Sequence, residues 1–361
     1  MRRKTREIKI GNVRIGGNNP VAIQSMAKTR TADVPATVRQ ILRLEKAGCE
    51  IIRVAVKDRY DALAISRIKK NIHIPLVADI HFDWRLALSA IDSGADKIRL
   101  NPGNIRKKEQ IKAVASAAKS AGIPIRVGLN SGSVGGSGDQ ASRMAKYARE
   151  YLGMLEGFGF RDIVVSAKAQ NPADTIKAYR LISAACGYPL HLGVTATGLA
   201  AKGLLKSAVA IGALLLEGIG DTIRISLTDK PEEEVKSARL LLESLGLRRF
   251  GPEVISCPTC GRCEVDLVRM VKELERKLFA YGGHLCRLDG QVRASAPQLP
   301  AKPITVAVMG CVVNGPGEAK HADLGIAFGR KDGLFFKKGK PMRKIPAKKC
   351  VDALLDEINK F

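Results

Sequence analysis

From residue 21 to about 246 the chain alternates eight short apolar runs with longer amphipathic stretches, and this rhythm constrains the fold more than any other feature. The runs are VAIQSMA (21–27), CEIIRVAV (49–56), IPLVADIH (74–81), DKIRLN (96–101), IPIRVGLN (123–130), DIVVSAK (162–168), PLHLGVT (189–195) and DTIRISL (221–227). Each is rich in Val, Ile or Leu, and many follow a Gly or Pro, as strands do. The stretches between them, such as VRQILRLEKAG and WRLALSAIDSG, carry helical spacing and end in a Gly stop. Eight strand–helix units at this spacing predict an α/β fold, a (β/α)8 TIM barrel. A doubly wound open sheet is the other topology, but no G-x-G-x-x-G follows the first run.

Side chains alternate along a strand, so residues two apart share a face. One register reads Arg99 and Asn101; Arg126, Gly128 and Asn130; Ser166 and Lys168; His191, Gly193 and Thr195; Arg224 and Ser226. The other register is apolar and should pack on the outer helices. Polar groups buried in a barrel without partners are costly, but they make sense lining a site at the C-terminal mouth. The inward set is cationic (Arg53, Arg99, Arg126, Lys168 and Arg224), and its chief acid is Asp79. Converging guanidinium groups suit a phosphate-bearing ligand. The competing reading is internal pairing with Asp96, Asp162 and Asp221, which lie at strand starts, the opposite end of a barrel.

At about residue 250 the pattern changes, giving a barrel over 1–248 and a compact α+β module over 249–361. The module opens on Cys257-x-x-Cys260, a strong metal-ligand spacing, extended by Cys263. A helix is expected over roughly 266–281, a loop around 284–301, and a buried strand, ITVAVMGC, ending at Cys311. The Asn-Gly-Pro-Gly sequence after it should turn Glu318 back towards Cys311. DLGIAFG and LFFKKGKPMRKI read as strands and VDALLDEINKF as an amphipathic helix. Two readings fit the thiols. A zinc site takes four ligands from Cys257, Cys260, Cys263 and Cys311. An iron–sulfur cluster takes three cysteines and one weaker ligand. Cys49, Cys186 and Cys350 stand alone in or beside apolar segments and read as buried structural thiols.

Lys plus Arg number 60 against 35 Asp plus Glu, a net charge of +25, so an anionic partner is expected. Only 4% of residues are aromatic, which disfavours a single-strand binder built on stacking. Most of the basic residues are spread along the chain as a solvated surface. No apolar run reaches the roughly 18 residues of a membrane span, and the basic start lacks the apolar region of a secretory signal. The expected location is the cytoplasm.

SCPTCGR (256–262) and VAVMGCVVNGPGEA (306–319) resemble the cluster motifs of the 4-hydroxy-3-methylbut-2-enyl-diphosphate synthase family. QSM (24–26), VADIHF (77–82), KIRLNPGN (97–104), RVGLNSGS (126–133), HLGVT (191–195) and EGIGDTIRISL (217–227) resemble it too, in order and across essentially the whole chain. The resemblance implies a TIM barrel followed by a module carrying a [4Fe–4S] cluster, with Cys257, Cys260, Cys311 and Glu318 as its ligands and Glu318 also a candidate proton donor. It implies reductive ring opening and dehydroxylation of 2-C-methyl-D-erythritol 2,4-cyclodiphosphate, in the methylerythritol phosphate route to isoprenoids. Arg53, Arg99, Arg126, Asn130, Lys168 and Ser226 match the family's substrate-binding positions. Flavodoxin or ferredoxin is the implied electron donor. A homodimer is also implied, one subunit's cluster capping the other's barrel, with no membrane or nucleic-acid partner. A pterin- or cobalamin-dependent methyl-transfer barrel and a zinc-containing nucleic-acid-binding protein are the alternatives. Three departures stand out. The family's T-E-A-G is Thr195-Ala196-Thr197-Gly198 here, so a carboxylate is missing; the connection from Cys260 to Cys311 is long; and Cys263 is extra.

Overall fold

The structure, a computed structural model, describes residues 2–282, 304–313 and 315–361, without the side chains of residues 279–282, 316 and 318. Its described residues fall into two compact units, Met1–Arg248 and Arg249–Phe361. In the first, β1 (Ile8–Ile10) and β2 (Val13–Ile15) pair as an antiparallel hairpin. The eight parallel strands follow: β3 (Ala22–Met26), β4 (Ile51–Val56), β5 (Leu76–Ile80), β6 (Lys97–Leu100), β7 (Ile125–Asn130), β8 (Ile163–Lys168), β9 (His191–Leu192) and β10 (Thr222–Ile223). Their spatial order is β8-β7-β6-β5-β4-β3-β10-β9, and a parallel bridge between Val165 and Leu190 joins the two ends. The sheet is therefore closed into the barrel that the eight apolar runs predict.

Local chemistry sets the strand-to-helix turns. Asp33, Asp58, Asp83, Asp139 and Asn171 each cap the helix that follows, the side chain accepting from a backbone N–H of the first turn. Gly48 and Gly122 stop the helices Val34–Ala47 and Lys108–Ala121 in the left-handed conformation. The outward strand register is apolar and buried against the helices, with Ile52, Val54, Ile98, Leu100, Val127, Leu129 and Val165 inaccessible to solvent.

The hairpin is absent from the sequence reading above, which treats the N-terminus only as a basic stretch. Ile8, Ile10, Val13 and Ile15 point one way from it and pack on Ala22, Ile51, Val77 and Val164, residues at the starts of barrel strands. An apolar plug thus closes the N-terminal end. The signal was present: an alternating apolar pattern on both sides of Gly11-Asn12. Strands β9 and β10 are also shorter than their apolar runs. Gly193, just past β9, leaves room for Lys168: a Cβ there would lie 2.6 Å from Lys168 Nζ.

The second unit is a five-stranded sheet in the order β11 (Glu253–Ser256), β12 (Thr305–Met309), β13 (Leu324–Phe328), β14 (Asp332–Lys337), β15 (Lys340–Pro346). The first three are parallel and the last two antiparallel. LFFKKGKPMRKI is thus two strands. Lys338 and Gly339, both with positive φ, make the two-residue turn between them. The helices Leu267–Gly282 and Cys350–Ile358 complete the unit, and Leu267, Leu274, Leu354, Leu355 and Ile358 join the strands' core residues. The expected loop around 284–301, with Cys286, lies outside the described residues. No helix among the described residues is long and apolar enough to cross a membrane.

Candidate functional site

The C-terminal mouth of the barrel opens into a cavity lined by Met26, Arg53, Asp79, His81, Arg99, Arg126, Asn130, Ser166, Lys168, Val194, Thr195, Arg224 and Ser226. Every one of the six expected substrate-binding residues is on this wall. The register explains why. Arg99 stands opposite Arg126 across β6 and β7, and Asn130 opposite Lys168 across β7 and β8, so parity aims them together.

Among the described residues, Asp79 is the only carboxylate on the wall. Its Oδ1 takes Arg99 Nη1 at 2.9 Å and its Oδ2 lies 3.5 Å from Arg53 Nε. Burial alone would raise its pKa, but Arg53 and then Arg99 outweigh that and hold the carboxyl well below its ordinary range. Arg99 Nη1 also donates to His81 Nε2 (2.8 Å), and its Nη2 donates to Gly128 O (2.8 Å). Only glycine fits at 128, since a Cβ there would lie 2.4 Å from Arg99 Nε. Arg53 additionally rests Nε and Nη2 on Met26 Sδ.

A second acid, Glu234, was not anticipated. It comes from the helix Pro231–Ser244, is buried, and meets Arg224 Nη2 at 3.4 Å and Lys28 Nζ at 3.1 Å. The strand-start acids proposed as internal partners are used elsewhere. Asp96 pairs with Lys69, Asp162 with Arg6, and Asp221 with Arg2. They do not neutralise the mouth.

Arg126 and Lys168 remain in excess. Arg126 is 1% exposed, and its Nε and Nη1 have no hydrogen-bond partner among the described residues. Burial, then Arg53 and Arg99, disfavour its charged form. Burial and the same cationic neighbours lower the Lys168 pKa well below that of an ordinary lysine. Lys168 Nζ lies 3.2 Å from His191 Nε2, and His191 Nδ1 lies 2.8 Å from Thr222 Oγ1. Burial and then Lys168 keep His191 neutral, so its Nε2 accepts from Lys168 and its Nδ1 donates to Thr222. Lys97, one step below Arg99 on the same face, was also missed. Its Nζ is fully buried and has no hydrogen-bond partner among the described residues. It shares the parity of Arg99 and was legible on that ground.

Unpartnered buried donors and like charges held together are costly unless an anion completes them. The mouth is built to receive a compact polyanion. Thr195 lines it, whereas Ala196 begins the rim: exposed, with a left-handed φ of 51°, and not itself on the cavity wall.

In the second unit, Cys257 follows β11, and Gly310 and Cys311 follow the neighbouring parallel strand β12. Gly310 N–H donates to Cys257 Sγ at 3.3 Å. A Cβ at 310 would lie 2.6 Å from Cys263 Sγ and 3.4 Å from Cys257 Sγ, so glycine there lets the thiols crowd the strand end. Thr259 adopts a left-handed φ of 60° inside the Cys257–Cys260 loop, and Cys260 is exposed. The soft donors and their shared strand end fit a thiolate-bound cluster. Among the described residues, no three His, Cys, Asp or Glu side chains converge on one point. Cys263 Sγ donates to Val265 O (3.2 Å) and packs on the core. The expected turn after Cys311 is a short helix, Gly315–Glu318. Asn314 and the Glu318 side chain lie outside the described residues. Cys49 and Cys350 are buried as expected, and Cys186 is half-buried.

The fold and site define a class: a TIM-barrel protein with a cationic, anion-receiving mouth and an appended thiol-bearing α+β unit. Profiles of the GcpE TIM-barrel domain and the GcpE protein C-terminal domain match residues 5–239 and 253–360, and the chain belongs to the GcpE family. A relative from Caldanaerobacter subterraneus subsp. tengcongensis is 52% identical over all of this chain and 98% of its own length. One from Anoxybacillus flavithermus is 50% identical over all of this chain and 95% of its own. Both bear the name 4-hydroxy-3-methylbut-2-en-1-yl diphosphate synthase (flavodoxin). Among solved structures, dihydropteroate synthase from Stenotrophomonas maltophilia matches with a TM-score of 0.52 at 13% identity, covering 67% of this chain and 99% of its own, a likeness of barrel fold alone.

Proposed function

We propose that this chain reductively opens the ring of 2-C-methyl-D-erythritol 2,4-cyclodiphosphate and removes a hydroxyl, giving 4-hydroxy-3-methylbut-2-enyl diphosphate for isoprenoid synthesis. Full-length membership of the GcpE family, and the names its relatives carry, support this reading. The single observation that carries it physically is the cation excess of the barrel mouth, with Asp79 its only lining carboxylate among the described residues.

Arg126 and Lys168 would take the two phosphates' charge, each gaining a charge-assisted hydrogen bond that offsets the repulsion of its cationic neighbours. Arg99 and Arg53, held by Asp79, would fix the rim of the phosphate site. Asn130 and Ser226 would orient the substrate's hydroxyl groups. Cys257, Cys260, Cys311 and Glu318 would hold a [4Fe–4S] cluster, which supplies single electrons and a Lewis-acidic iron when bound. Two electrons enter per turnover and the lost hydroxyl leaves as water. Glu318 would deliver the proton that hydroxyl needs. The electron donor is flavodoxin or ferredoxin, and the working form a cytoplasmic homodimer.

Anaerobic protein reconstituted with iron and sulfide, given the cyclodiphosphate and a viologen reductant, should form the linear diphosphate. Replacing Arg126 or Lys168 by Ala should weaken substrate binding about ten- to a hundredfold at equal iron content. No product from the iron-loaded wild type overturns the reading; unchanged affinity in both variants moves the phosphate site elsewhere.

A further inference from the structure

The C-terminal unit carries a charge feature that substrate binding does not use. Nine of the twenty residues 330–349 are Lys or Arg, and only Asp332 is acidic. Arg330 and Lys331 fall on the β13–β14 turn, Lys340, Arg343 and Lys344 on β15, and Lys348 and Lys349 on the 3-10 turn Ala347–Lys349, while Lys337 and Lys338 lie at the far turn between β14 and β15. Arg330, Lys331, Lys344, Lys348 and Lys349 are all exposed. Parallel strands β11, β12 and β13 all run towards the end that holds Cys257 and Cys311, so the β13–β14 turn is at that end. β15 returns to it, and Ala347 N–H donates to Lys331 O (3.1 Å), which sets Lys348 and Lys349 beside Lys331. Arg330 Nε lies 3.5 Å from Glu264 Oε2, tying this shoulder to the cysteine loop.

The opposing acids are few. Glu264 is taken by Arg330, and Glu357 by Arg343 and Lys360. Among the described residues, Lys331, Lys344, Lys348 and Lys349 have no ion pair within 4.0 Å. Lysines on an edge strand guard against edge-to-edge pairing. That accounts for Lys344 on β15 but not for Lys331, Lys348 and Lys349, which lie in turns off the strand. At one strand spacing per step, the shoulder is displaced sideways from β12 by roughly 10–14 Å. A protein seated there would come close to the thiols without covering the strand ends.

We propose that this basic shoulder is the docking surface for a protein electron donor, which meets it with a carboxylate-rich face. The inference rests on the functional reading above, in which a carrier protein supplies the electrons. Charge complementarity raises the encounter rate and orients the carrier, as interfacial charge does generally.

The test uses the full, iron-loaded protein and its Lys331→Glu/Lys348→Glu/Lys349→Glu variant. Turnover is measured anaerobically with a reduced acidic flavodoxin and, separately, with a neutral, zwitterionic viologen. The variant should show a donor KM raised tenfold or more at low ionic strength, with unchanged viologen-driven turnover and iron content. Salt should raise the donor KM of the wild type steeply and that of the variant little. A donor KM within twofold of wild type overturns the proposal. So does a variant that keeps donor affinity but loses binding to a duplex oligonucleotide, which would make the shoulder a nucleic-acid surface. Failure of viologen-driven turnover in the wild type instead overturns the functional reading and is told apart by that arm. Titrating oxidised flavodoxin into either protein gives the affinity directly, so the docking claim is decided even then.

Discussion

Asp79 holds together the most charged part of the barrel, and its removal should be felt in stability before catalysis. Its carboxylate sits 2.9 Å from Arg99 and 3.5 Å from Arg53, and it is 4% exposed. Asp79→Asn keeps the shape but leaves two buried guanidinium groups without a counter-charge. Breaking a buried pair by removing one partner costs about 3–5 kcal/mol. For a unit of this size each kcal/mol moves the midpoint by about 2–4 °C, so the barrel should melt roughly 6–20 °C lower. The chain's single Trp, Trp84, opens a barrel helix, and its fluorescence reports this unit alone. The Asp79 carboxyl is held well below the ordinary 3.8. Its stabilisation is therefore fully present above pH 3.8 and lost as pH falls through the lower, folded value. Wild type and variant should converge only in strong acid. Pyrophosphate should raise the variant's midpoint more than the wild type's, because the ligand replaces the missing negative charge. A midpoint within about 2 °C of wild type in anion-free buffer at neutral pH would refute the account of Asp79 as the counter-charge.

Cys311→Ser should lose both cluster absorbance and turnover, while Cys263→Ser keeps both; the reverse pattern, read by iron and sulfide analysis, assigns the ligand to Cys263. Pyrophosphate binding should take up protons, because a bound anion raises the depressed pKa of Lys168; calorimetry in buffers of different ionisation enthalpy measures this, and no buffer dependence at any pH contradicts it. Ala196→Glu puts a carboxylate on the rim beside Thr195 and should raise turnover tenfold or more at equal iron content, given what a positioned acid–base group contributes; equal turnover means that another acid already serves.

The strand faces were legible because parity in a strand is arithmetic. Once Arg99 and Arg126 are set inward, Asn130, Lys168 and Ser226 follow, and all line one cavity. The charge partners were not legible in the same way. Glu234 reaches Arg224 from the helix after the last barrel strand, and it also takes Ser25 Oγ at 3.4 Å from the opposite end of the barrel sequence. Closure of the barrel makes these neighbours, and no local pattern marks them. The plug hairpin was legible in its alternation, but a basic composition masked it. The thiols divide similarly. The C-x-x-C spacing keeps Cys257 and Cys260 close in sequence, whereas Cys311 reaches the same end of the sheet only because β11 and β12 pair in parallel.

The charge arithmetic of the mouth also narrows its ligand. Arg53, Arg99, Arg126, Lys168 and Arg224 line the cavity with Asp79, and Glu234 behind it is shared between Arg224 and Lys28, so the basic groups outnumber the two carboxylates by at least three. A monoanion would leave most of that excess buried and uncompensated, at the cost that attends any unpaired interior charge. A diphosphate removes most of it in one binding event and gives the unpartnered nitrogens of Arg126 their acceptors. Part of the ligand's binding free energy then appears as barrel stability. At a hundred times its dissociation constant, a ligand specific for the folded state adds about 2.7 kcal/mol. The cationic excess thus suits a doubly charged ligand better than a singly charged one. A neutral analogue of the same carbon skeleton, lacking both phosphates, should therefore neither bind measurably nor raise the barrel's midpoint. Binding of such an analogue within tenfold of the diphosphate would mean that the cations serve the fold rather than the ligand.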